Sequence, residues 1–197
     1  MNAMTWVLLA VGLLAVFWAV GAYNRLVRLK NAIANAFGQI DVQLKRRYDL
    51  IPNLVEVARK YLAHEAQTLE AVIAARNQAR SAEQTAAGSP LNAGALGALA
   101  GAEQMLGGAL GRLFAVAEAY PDLKADQTMR ELSEELSSTE NRIGFARQAY
   151  NDHVLEFNDA AAQFPTLIVA RLFNFQPQAM LASTTSEAER ASVKVSF

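Results

Sequence analysis

The chain has 197 residues, 52% of them hydrophobic but only 8% aromatic, with five Pro and no Cys. Its length suits one domain, its Ala- and Leu-rich vocabulary is helical, and no window alternates Val, Ile, Thr and aromatics at the period of a strand. The missing cysteine excludes disulfides, thiolate metal sites and thiol catalysis, and fits either redox compartment. Net charge is −1 but unevenly spread, with ten Lys/Arg against five Asp/Glu over 25–80 and five against twelve over 81–164. A basic and an acidic portion suggest that the two pack on each other, with charge helping to set register; differently solvated faces are the plainer explanation of any single charge.

Residues 1–23 read as a membrane anchor. Met4 to Tyr23 carry no charge, and twenty residues at ~1.5 Å each span the ~30 Å hydrocarbon core of a bilayer. Trp6 lies near one end and Trp18 and Tyr23 towards the other, where interfacial aromatics sit. A cleaved signal peptide would want a basic n-region, which Met1 to Thr5 do not supply. Arg25, Arg28 and Lys30 follow the span at once, so the positive-inside rule predicts an outside N-terminus and a cytoplasmic body. A body outside the cytoplasm is the alternative.

Residues 24–181 read as an all-α bundle. Val27, Ile33, Phe37, Ile40 and Leu44 form a first apolar series, and Leu54, Val55, Ala58, Tyr61, Leu62, Leu69, Val72 and Ile73 a second. Pro52 lies between them and lacks the N–H that a helix interior needs. A turn near Tyr48 would let Asp49 cap a new helix with Pro52 in its first turn, giving an antiparallel up-and-down four-helix bundle. The alternative is three long helices, the first kinked at Pro52. Gly88-Ser89-Pro90 breaks the chain before a small-residue-rich third helix at about 91–119, with Leu99, Leu106, Leu110, Leu113 and Ala117 inward. Its GxxxG spacings suit close packing, but Glu103 and Arg112 argue against a second span. Tyr120 to Asp122 make a turn. The last series, Met129, Leu132, Leu136, Thr139, Ile143, Ala146, Tyr150, Phe157, Ala161 and Phe164, has coiled-coil spacing up to Tyr150.

No motif proposes a reaction. His64-Glu65 opens like a zinc-protease helix, but Thr68 stands where the second His must be, and His153 is the one other histidine. The glycines of 88–111 match neither a dinucleotide fingerprint nor a P-loop, and the acidic face at Glu131, Glu134, Glu135 and Glu140 reads as solvated or ion-paired. The basic portion lacks the interleaved aromatics of a nucleic-acid binder. No cofactor, metal, nucleic acid or small-molecule substrate is implied.

The runs YNRLVRLKNAI, IDVQLKRRYDLIPNLVE, AEAYPDLKA, ENRIGFARQAYN and FPTLIVARLFNF together resemble the LemA family of bacterial membrane-anchored helical proteins, over Tyr23 to about Phe175. The resemblance implies a four-helix domain, an outside N-terminus and no established catalytic activity.

The function expected is a non-enzymatic, membrane-tethered scaffold or adaptor that recruits a protein partner or self-associates. A membrane-bound enzyme with a polar cleft near Arg46, Arg47, Asp49, Glu56 and Tyr150 is the alternative. Arg46, Arg47 and Arg142 or Arg147 are expected to make interhelical pairs with Glu56, Glu118, Glu135 or Glu140, so that Arg47→Met leaves stability little changed. The apolar segment 165–181 is expected beside Tyr23 if the chain turns at Tyr48 and ~40 Å or more away if helix one is a single kinked rod. There it would cap the core or meet lipid. Residues 182–197 read as a flexible tail whose Val195 and Phe197 suit a PDZ-like or β-edge partner; a frayed end that binds nothing is the plain alternative.

Overall fold

One apolar stripe, with steps of three and four after a first step of seven, runs without a phase break from Leu26 through Ile33, Phe37, Ile40, Leu44, Tyr48, Ile51 and Leu54 to Ala58, and all nine are buried. That continuity sets the architecture. The computed structural model describes residues 2–181, and among these it holds six helices and no strand: α1 Ala3–Arg59, α2 Ala66–Gly88, α3 Ala93–Ala117, α4 Pro121–Ala125, α5 Gln127–Ala162 and α6 Thr166–Leu172. The lower part of α1 with α2, α3 and α5 forms an up-and-down four-helix bundle, in which α1 packs chiefly on α5 and α2 on α3.

The turn expected near Tyr48 is absent. α1 continues through Pro52 to Arg59, and the chain reverses over 60–65. A proline inside a helix leaves the carbonyl four residues back without a donor and costs roughly 3 kcal/mol. Here the orphaned Tyr48 carbonyl accepts a hydrogen bond from Arg76 Nε of α2 at 3.0 Å. The loss inside α1 thus becomes a tie between α1 and α2. Asp49 caps nothing; it is an exposed mid-helix residue, 3.9 Å from Arg76 Nη2. The real reversal contains neither Gly nor Pro, and Tyr61 there donates to Asp126 Oδ2 at 3.0 Å. The other oxygen of Asp126 accepts from the Met129 N–H at 2.9 Å, the N-cap that starts α5.

The test set by segment 165–181 divides accordingly. Phe173 and Phe175 pack on Tyr23 with ring centroids 4.8 and 5.6 Å apart, as four alternating helices require, yet the turn that makes this possible lies at 60–65. The part of α1 that packs in the bundle, 24–59, matches the 36 residues of α5, whereas α2 and α3 have only 23 and 25. α6 and the chain after it cover the uncovered end. Gln178 and Leu181 each exchange two hydrogen bonds, at 2.8–3.0 Å, with the side chains of Asn158 and Asn151. Two inward assignments change: Leu26 is buried where Val27 was expected, and Phe164 is 81% exposed.

Residues 3–21 stand clear of the bundle. α1 is the one described helix long and apolar enough to cross a membrane, and none of its most apolar stretch is covered by the rest of the chain.

Candidate functional site

Midway along the bundle, charged residues occupy core positions. Arg47 and Tyr48 of α1, Glu103 of α3 and Arg147 of α5 are all buried, and Glu103 has no exposed side-chain surface. Each falls in phase with its helix's apolar stripe, so the fold carries it inward whatever its charge. A lone buried carboxylate would be very costly, and Glu103 is not alone. Its Oε2 lies 2.7 Å from Arg47 Nη1 and 3.8 Å from Arg147 Nη2, and its Oε1 accepts from the Tyr48 hydroxyl at 2.6 Å. The same Arg47 Nη1 reaches Glu140 Oε2 of α5 at 2.9 Å. One guanidinium therefore bridges three helices. Burial, with the Glu103 carboxylate beside it, pushes the Tyr48 hydroxyl far above its ordinary value, so it stays a donor. Burial likewise lowers Arg147.

Above this network the seam between α3 and α5 is open. A cleft of 640 Å³ is bounded by Gly107, Gly108 and Gly111 of α3 and by Ser133, Ser137 and Glu140 of α5, with Arg47 and Glu103 at its base. A methyl group added at any of the three glycines would meet nothing within 4 Å.

A second buried carboxylate lies between α1 and α2. Glu83 has 1% side-chain exposure, and Lys45 Nζ is 3.7 Å away. Neither Glu83 oxygen has a hydrogen-bond partner of its own among the described residues. Burial first, then its contact with Asp41, raises Glu83 to about 7. Asp41 is lowered even though burial works against it, because Glu83 and Lys45 stabilise its charge. Lys45 Nζ sits 2.6 Å from Asp41 Oδ2.

Arg46 Nη2 is 2.6 Å from Glu135 Oε1 at the surface. Glu118 pairs with Lys124 near the end of α3, and Glu56 and Arg142 are exposed. Tyr150 is fully buried, its hydroxyl donating at 3.3 Å to the Pro90 carbonyl rather than entering the cleft. His64 is exposed in the 60–65 turn and does not line the cleft. Met4, Trp6, Trp18 and Tyr23 lie along the exposed first part of α1. Val195 and Phe197 lie outside the described residues. Among those residues, no three His, Cys, Asp or Glu converge as metal ligands. Glu103 and Glu83 escaped assignment from sequence, although each repeats the spacing of its neighbours, Leu99–Leu106–Leu110 and Val72–Ala79–Ala86.

A model of the LemA family matches residues 36–197. The chain belongs to the LemA family. It is similar to Protein LemA of Metamycoplasma hominis, 29% identical over 91% of this chain and 77% of that protein. It is also similar to Magnetosome protein MamQ of Magnetospirillum gryphiswaldense, 27% identical, and to Magnetosome protein MamQ 2 of Paramagnetospirillum magneticum, 26% identical. Those two matches cover 78% of this chain but only 62% of either MamQ protein. The family match runs through the tail that carries Val195 and Phe197.

Proposed function

We propose that this LemA-family chain is a membrane-tethered, non-enzymatic scaffold that receives a helix of a protein partner, either another protein or a second copy, in the seam between α3 and α5. The observation that carries this reading is the placement of Gly107, Gly108 and Gly111. A helix-interior glycine costs about 0.5–1 kcal/mol relative to alanine. No glycine here has a positive φ, and none of these three has a neighbour that a side chain would strike. Nothing within the described fold requires them. Glycines on an open seam do permit a second backbone to approach closely, as small residues do wherever helices pack tightly.

An enzyme is the reading from the other class, and the cleft is its best support. Its chemistry would fall to Glu103 and Glu140. Glu103 has no exposed side-chain surface, and Glu140, 44% exposed, is held by Arg47. Both acids are committed to structure. The span of α1 supports a membrane setting, and the arginines that follow it support an outside N-terminus with a cytoplasmic bundle.

A photo-crosslinking side chain at Gln104, which is exposed and lines the cleft, tests the scaffold reading in native membranes. It should capture a discrete protein species; capture of lipid alone, or of nothing, rejects the reading. Self-adducts only would assign the seam to self-association. For the tail, deletion of residues 195–197 should leave helicity and membrane insertion intact while removing specific co-purifying proteins. An unchanged set would exclude Val195 and Phe197 as anchors.

A further inference from the structure

We infer that α6 is a second membrane contact, a short foot that lies in the headgroup region beside the anchor and fixes how the bundle stands on the bilayer; this rests on α1 being inserted. The first charge of α1 is Arg25, two residues after Tyr23, which places Tyr23 at the edge of the hydrocarbon. The register of α1 against α5 places the end of α5 at the same height. Phe37 and Tyr150 pack ring to ring at 6.2 Å. Ala162, twelve residues after Tyr150, is therefore level with Arg25, twelve residues before Phe37 on the antiparallel neighbour. α6 follows directly, and Phe173, just past its last residue, closes on the Tyr23 ring at 4.8 Å.

At this height α6 presents apolar side chains outward. Val169 and Ala170 face the bundle and are buried, whereas Ile168 is 56% and Leu172 76% exposed. Phe164, Ile168 and Leu172 recur every fourth residue, and Phe164 and Phe173 are also exposed. At the far end of a soluble bundle these would be a liability. Beside an inserted span they reach a solvent that accepts them, which is the arrangement of an interfacial helix. Exposed Arg25, Arg28 and Arg171 lie at the same end, where anionic headgroups would meet them. Lipid is therefore the occupant that both apolar and charged groups fit.

The chain contains no Cys, so single nitroxide labels can be placed without background. Full-length protein carrying Ile168→Cys, Leu172→Cys, Leu13→Cys or Phe145→Cys would be labelled and reconstituted in phosphatidylcholine–phosphatidylglycerol nanodiscs. Collision with oxygen and with a water-soluble nickel complex would then be compared. Labels at 168 and 172 should favour oxygen, less strongly than the label at 13, while the label at 145 on mid-α5 favours nickel. If 168 and 172 behave like 145, or are shielded from both reagents, α6 does not contact lipid. If the label at 13 also favours nickel, the anchor itself has failed to insert, and the scaffold reading falls with it.

Discussion

The α1–α2 interface and the α3–α5 seam each bury a glutamate, and they treat it in opposite ways. Glu103 lies beneath an open cleft yet is held by Arg47 and Tyr48 at 2.6–2.7 Å. Glu83 lies in a closed interface yet faces another acid, with its nearest cation 3.7 Å away. The difference is one of register. On α1, Arg47 and Tyr48 point towards α3, whereas Asp41 points towards α2 with only Lys45, a surface residue, beside it. Glu103 is buried with its charge paired, whereas the burial of Glu83 raises its hold on a proton, to about 7.

The largest effect expected is at the paired site. From sequence, Arg47→Met was expected to be nearly neutral; with Glu103 stranded beneath it, the substitution should instead cost about 3–5 kcal/mol. Arg47→Met with Glu103→Leu should recover most of that loss. Denaturant unfolding of the full chain in micelles measures both, and equal stability of Arg47→Met and the parent would end the claim that Arg47 is Glu103's essential partner.

Next comes pH. Glu83 is raised to about 7 in the folded protein from an ordinary value of 4.5, so the fold binds its proton more tightly than the unfolded chain does. Its contribution is fully present below pH 4.5 and is lost as pH rises through 7, a change of roughly 1–3 kcal/mol. Glu83→Gln should flatten melting temperature between pH 5 and 8 and stabilise the protein most at the alkaline end. A mutant whose pH profile parallels the parent's would contradict a raised Glu83 in the folded protein.

Smaller again is the Pro52 repair. Arg76→Met leaves the Tyr48 carbonyl without its donor and should cost roughly 1–2 kcal/mol. In a Pro52→Ala background the backbone N–H returns, and the same substitution should cost clearly less. A double-mutant cycle that shows no coupling would mean that Arg76 does not compensate for the proline. Smallest is the surface pair: Arg46→Ala should change stability by less than about 1 kcal/mol, since Arg46 and Glu135 are half exposed. A larger loss would mean that the pair belongs to the buried network.

What the sequence revealed depended on which signal each residue carried. The long apolar start of α1, the four-helix count, the break at Gly88-Ser89-Pro90 and the stripe of α5 are legible because apolar spacing and turn residues state them directly. The turn was misplaced because the strongest punctuation, Pro52, sits inside α1, where a residue 24 positions later repairs it. The real reversal at 60–65 has no Gly or Pro to announce it. Glu83 and Glu103 carry a surface residue's chemistry, and only their place on an apolar stripe signals burial. The cleft was not legible at all. Small-residue spacing in α3 predicted close packing, but whether a neighbour fills that face is decided by where α5 lies.

Alanine substitution at Gly107, Gly108 and Gly111 together tests the claim that the glycine edge of α3 is kept for a partner. The triple variant should unfold later than the parent, because each alanine favours the helix by about 0.5–1 kcal/mol and meets no obstruction. Cross-linking from Gln104 in native membranes should at the same time fall sharply. A variant that is stabilised yet cross-links as well as the parent would contradict the claim.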